Sequence, residues 1–145
     1  MILTLTEVMA LIVGHWINDF ILQDEEWAAN KSKSWAALLI HTFVYSCGWL
    51  VMGLLYVIGS LIYQKESGIL EPQTPFEPQQ LLLFGLMTFL FHTATDYFTS
   101  KTVKKKFEAG DYGQPIPNFG AFTVIGFDQV LHYMQLFLTY LLIFK

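Results

Sequence analysis

The chain has 145 residues, room for one domain; it is 54% hydrophobic and 17% aromatic but only 14% charged. Its mean hydropathy is +0.44, and its charge content falls well below the roughly one quarter usual in soluble domains, so the composition leans towards the membrane. A net charge of -4 argues against nucleic acid as a partner, eight lysines and no arginine leave no bidentate guanidinium clamp, and the single Cys47 allows no internal disulfide and reads as a small buried hydrophobe.

In chain order, the first apolar stretch covers about residues 3–23. Its MILTLTEVMALIVGHWINDF lacks the positive start and small-residue cleavage site of a secretory signal, so it reads as a retained helix. A short polar link with Lys31 and Lys33 leads into a second stretch, 35–63, longer than the ~20 residues a bilayer requires. The proline-rich QKESGILEPQTPFEPQQ is expected to be a loop. A third stretch, 80–100, is followed by KTVKKKFEAGDYGQPIPNFG, the most polar part of the chain, whose Gly-Gln-Pro-Ile-Pro run cannot stay helical for long. The fourth covers 121–144. The expectation is an all-α, polytopic membrane protein: one integral domain, 1–145, built as a four-transmembrane-helix bundle.

Lysine placement predicts its orientation. Lys31, Lys33, Lys101, Lys104, Lys105 and Lys106 fall on one side of such a bundle, and Lys65 and Lys145 on the other. The positive-inside rule puts the first and third links in the cytoplasm and both termini outside, in a bacterial inner membrane. The tryptophans Trp16, Trp27, Trp35 and Trp49 read as interface anchors or packing.

Inside the apolar stretches lies a pattern of ionisable groups. His15 and Asp19 are four residues apart, as are His92 and Asp96, and Asp128 and His132 in reverse order; His41 stands alone. Four residues are about one helical turn, so each pair points from one face. Counted at about 1.5 Å per residue from the lysine-rich side, His15 and His92 lie near 12 Å, Asp19 and Asp96 near 6 Å, and His41 near 9 Å. Asp128 and His132 come out near 10 and 16 Å. Helices of opposite direction thus deliver seven groups to one layer. HWINDF and HTATDYF also echo each other, which suggests two hairpins related by an old duplication.

An aspartate inside a span costs about 2.5–3.5 kcal/mol on insertion scales, and three approach ~9 kcal/mol, comparable to a domain's net stability. Polar pairs that merely glue helices contribute only about 0.6 kcal/mol on average. One pair fits that bland reading, but three pairs and a histidine at one level fit a metal site better. Seven nitrogen and oxygen donors suit one or two divalent ions, zinc, manganese or iron, with His15, Asp19, His41, His92, Asp96, Asp128 and His132 as candidate ligands. Asp19, Asp96 and Asp128 are the candidate general bases. Gln23 and Gln129 flank the cluster as neighbouring donors, while Lys31, Lys101 and Lys104 are placed to meet an anionic substrate.

With these residues in view, the chain resembles a small, uncharacterised family of bacterial and phage integral membrane proteins of unknown function. The likeness rests on His15-x3-Asp19-x3-Gln23, Lys31, His41, His92-x3-Asp96 and Phe127-Asp128-Gln129-x2-His132, and covers nearly the whole chain apart from 64–79. The layout is also similar to membrane-bound metal-dependent hydrolases, an analogy of fold that implies hydrolysis and names no substrate. The leading expectation is a metal-dependent hydrolase acting on a phosphorylated or amphiphilic substrate. A metal-ion or proton transporter, a bis-histidine haem protein and a non-enzymatic membrane adaptor are the alternatives, and lipid and a second copy of the chain are the candidate partners.

Overall fold

The computed structural model describes residues 2–70, 73–109 and 119–145. All regular structure among them is helical: α1 (Leu5–Trp16), a π-helical turn (Ile17–Ile21), α2 (Glu25–Asn30), α3 (Trp35–Glu66), α4 (Pro78–Glu108) and α5 (Phe119–Phe144). The Gly-Gln-Pro-Ile-Pro run lies outside the described residues.

Local chemistry sets the helix starts. Thr4 caps α1 in a reciprocal box with Glu7, Asp24 caps α2 and Ser34 caps α3. Pro78 opens α4, where its missing N–H costs nothing, and Gly68, at φ 76°, turns the chain after α3. After Trp16 the helix takes up an extra residue: the Leu22 amide donates to the Ile17 carbonyl at 2.9 Å, five residues back. Asn18 and Asp19 sit in that wide turn, and both are buried.

The helices form a ring. α5 packs on α4 and α1, α3 packs on α4, and the π turn and α2 pack on α3. One half of the interior is an apolar cluster of Leu11, Tyr45, Trp49, Phe84 and Leu136. The half nearer the α1–α3 link is polar: His15, Asn18, Asp19, His41, His92, Asp96 and His132 are all buried. Large apolar side chains face outward instead, among them Met9 on α1, Phe43 and Leu55 on α3, Leu82 and Phe98 on α4, and Leu138 and Leu142 on α5.

Among the described residues, two helices, α3 and α4, are long and apolar enough to cross a membrane. The sequence expectation was four. The first stretch is instead a 12-residue α-helix running into a five-residue π turn. α5 has the length, at 26 residues, but Asp128, Gln129, His132 and Gln135 dilute its apolar character. The third link also differs, because α4 continues as helix through Lys101–Lys106 to Glu108. Trp49 belongs to the core rather than to an interface, and Cys47 is only half buried.

Close packing at the π turn depends on a glycine of α3. A Cβ at Gly48 would collide with Asn18 Oδ1, and Asn18 is too enclosed to swing away freely. Gly48→Ala is therefore expected to destabilise the protein by about 1–3 kcal/mol, the usual cost of overpacking, seen as a lower unfolding temperature in detergent. An unchanged unfolding temperature would mean that the turn is loosely packed.

Candidate metal centre

Three donors form a nearly equilateral triangle at the centre of the polar half. Asp19 Oδ1 is 3.2 Å from His41 Nε2 and 3.3 Å from His92 Nε2, and the two nitrogens are 3.2 Å apart. Three ligands at about 2.0 Å from a tetrahedral ion are separated by about 3.3 Å, so the spacing is that of a metal-binding face. Asp19, His41 and His92 are buried and come from the π turn, α3 and α4 respectively. Asp19 Oδ1 has no hydrogen-bond partner among the described residues. Two Nε2 atoms facing each other and two carboxylates are a concentration of lone pairs that a cation would resolve.

Asp96 closes one side. Its Oδ2 is 3.0 Å from His41 Nε2, 3.4 Å from His92 Nε2 and 2.8 Å from the Lys31 ammonium. Burial works to lower the Lys31 pKa, but the charges of Asp96 and Asp19 outweigh it and hold the ammonium above its ordinary value. The Lys31 side chain keeps 20% exposure. Lys31→Met is expected to cost the metal-free protein a few kcal/mol, less than the ~3–5 kcal/mol of a fully buried pair. A bound cation would compensate Asp96, so the loss should shrink when metal is present. Thermal unfolding with and without chelator checks this; equal losses would disconnect Lys31 from the centre.

His15 plays a different part from His92, although both belong to His-x3-Asp pairs. Gln129 Oε1 can only accept, so His15 Nε2–H donates to it at 2.9 Å, while Nδ1 accepts from the Tyr45 hydroxyl at 2.9 Å. His15 Nε2 stays 3.7 Å from Asp19 Oδ2. His92 is held by ring packing, with Tyr45 stacked on it at 4.0 Å and His132 at 4.2 Å between ring centroids. The Nδ1 atoms of His41 and His92 have no partner among the described residues. His132 is anchored through its own helix: Nδ1–H donates to the Asp128 carbonyl at 2.8 Å, and Nε2 lies 3.8 Å from Asp96 Oδ1.

A cavity of about 460 Å³ opens beside the centre, with Asp19, Asp96 and Asp128 in its wall and Lys31, Lys33 and Lys104 around it. Asp128 Oδ2 accepts from Gln129 at 3.1 Å, whereas Oδ1 has no hydrogen-bond partner among the described residues and lies 3.6 Å from His132 Nδ1.

The candidates from the sequence are thus placed unequally. Asp19, His41, His92 and Asp96 share one point, His132 and His15 border it, and Asp128 stands at its edge. Gln129 touches the cluster through His15, but Gln23 only lines the cavity. Two lysines proposed for an anionic substrate have other engagements. Lys31 is committed to Asp96, and Lys101 lies 3.6 Å over the Tyr97 ring in a cation–π contact. Lys104 lines the cavity and leans towards Glu108 at 3.8 Å. Sequence reading missed Tyr45 and Asn18. Tyr45 is one turn after His41, and Asn18 is three residues after His15, so extending each stripe by a turn would have found both.

Fold and site together define a helical protein with two helices fit to cross a membrane and buried His/Asp groups that could hold a metal ion. The chain belongs to the family described as protein of unknown function DUF3307, whose model matches residues 8–145. Neither the curated proteins nor the solved structures contain a match.

Proposed function

We propose that this protein is a membrane-embedded, metal-dependent hydrolase acting on a phosphorylated amphiphile. The observation that carries the reading is the triangle of Asp19, His41 and His92 donors beside a cavity lined by both carboxylates and lysines. Three protein ligands leave coordination positions for water or substrate, as in catalytic rather than structural sites. Zinc, manganese or iron(II) suits a donor set without thiolates. When bound, such an ion would act as a Lewis acid on a phosphoryl oxygen and make water easier to deprotonate. Asp128, in the cavity wall, takes the proton as general base. Lys33 and Lys104 meet the anionic head, and Lys31 holds Asp96 against the histidines. Phe20 and Ile125, half exposed in the same wall, offer apolar surface to the rest of the substrate.

The outward apolar faces of α1 and α5 support four spans rather than two, since a soluble monomer rarely exposes so much contiguous apolar surface. Lysine placement favours the inner membrane with both termini outside. Cysteine labelling in intact cells tests this: position 145 should react from outside and position 104 only after permeabilisation. The reverse pattern would invert the topology.

Transport is disfavoured by the far end of the bundle. There Glu7 is bound to Lys145 at 2.7 Å and to the Tyr140 hydroxyl at 2.9 Å, above the apolar cluster. The deciding experiment uses protein purified in mild detergent, with elemental analysis, an absorption spectrum and phosphate release from a panel of lipid phosphates. Stoichiometric metal and chelator-sensitive release are expected. A Soret band would replace the reading with haem, and metal without turnover of any of the panel would remove the hydrolase.

A further inference from the structure

The triangle leaves a second set of donors unused. His132 is buried, and its Nδ1 must carry the proton because it bonds a carbonyl oxygen. In the neutral ring Nε2 is then a lone pair, and it has no partner among the described residues. It faces Asp96 Oδ1 at 3.8 Å, one acceptor against another with no donor between them. A histidine whose Nδ1–H is held by a carbonyl, which leaves the Nε2 lone pair to bind, has the usual orientation of a metal ligand.

We propose that a second divalent cation binds between Asp96 and His132, so that the Asp96 carboxylate bridges two ions. Two donors about 2.1–2.2 Å from one ion and about 110–120° apart are separated by about 3.5–3.8 Å, which is the spacing found. Asp96 can serve both ions: Oδ2 faces His41 and His92, and Oδ1 faces His132. The Lys31 bond does not prevent this, because a carboxylate oxygen has two lone pairs.

The second position has a third donor in reserve. His15 Nε2 is 3.7 Å from Asp19 Oδ2, and the His15 ring stacks on His132 at 5.5 Å. It becomes a ligand if its proton moves from Nε2 to Nδ1, with Tyr45 turning from donor to acceptor and Gln129 releasing it. No proton is gained or lost in that exchange, since a phenol can play either role. The two His-x3-Asp pairs would then serve two ions, which accounts for six of the seven donors where one ion needs four.

The inference rests on the metal reading above but not on hydrolysis, and metal counting separates them. Purified protein is loaded with manganese, dialysed, and assayed for metal per chain and by electron paramagnetic resonance. Two equivalents and a spin-coupled signal are expected. His132→Gln should retain one equivalent, give an uncoupled signal, and keep its helical circular dichroism; His15→Gln should weaken the second equivalent at least about tenfold. One equivalent in the native chain, unchanged by His132→Gln, would overturn the second site and leave the first. One equivalent lost with His132→Gln but kept in His41→Gln would overturn the bridge and move the single ion to His132. No bound metal would overturn both readings.

Discussion

His92→Ala is expected to empty the Asp19–His41–His92 site and to abolish the proposed hydrolysis together, while leaving the helices assembled. The His92 Nε2 atom lies within 3.4 Å of His41, Asp19 and Asp96, so it touches each of the other three donors of the centre. Changing groups that merely orient a ligand costs about 10–100-fold in metal affinity, and removing a ligand should cost more than that. The fold should survive, because the outward apolar surfaces and the apolar cluster around Trp49 and Phe84 do not involve this side chain's charge chemistry. Elemental analysis, phosphate release and circular dichroism on one preparation check all three parts. Full activity without the histidine would reduce the cluster to polar glue between helices. Activity that outlasts the metal would make the ion incidental.

Asp128→Asn should produce the opposite split. Loss of a general base lowers kcat by about 10²–10⁴-fold, yet metal content should stay at the native value and KM should change little. Asparagine keeps the shape and the backbone carbonyl that accepts from His132. It also breaks no hydrogen bond at Oδ1, which has none among the described residues and lies 3.6 Å from His132 Nδ1. Asp19→Asn is the contrasting variant, because Asp19 Oδ1 is a corner of the triangle and its replacement should release the metal. A kcat unchanged in Asp128→Asn would move the base to Asp96 or dispense with a protein base.

Much of the site was legible because helical periodicity is a local rule. Spacing of four residues put His15 with Asp19 and His92 with Asp96, and the count of residues from the lysine-rich links put them at one depth. The helices found match the expected stretches closely at α3 and α5, whereas α4 runs on past the expected end to Glu108. The first stretch was misread at its end, because a π turn has no signature in apolar periodicity. It answers to the packing of Asn18 against Gly48, a contact between residues 30 apart.

Composition and spacing alone determined the helical class, the apolar character and the identity of the seven polar donors. Only the tertiary structure decided which of them meet. His15 and His92 stand in the same local pattern, yet one is held by Tyr45 and Gln129 and the other faces His41 and Asp19. Lys31 looked free for a substrate and is bound to Asp96, 65 residues away. Such assignments depend on distances between helices, which follow from how side chains such as Trp49 and Gly14 fit together across the bundle. Periodicity says which face a residue occupies; what stands opposite that face is set by packing alone.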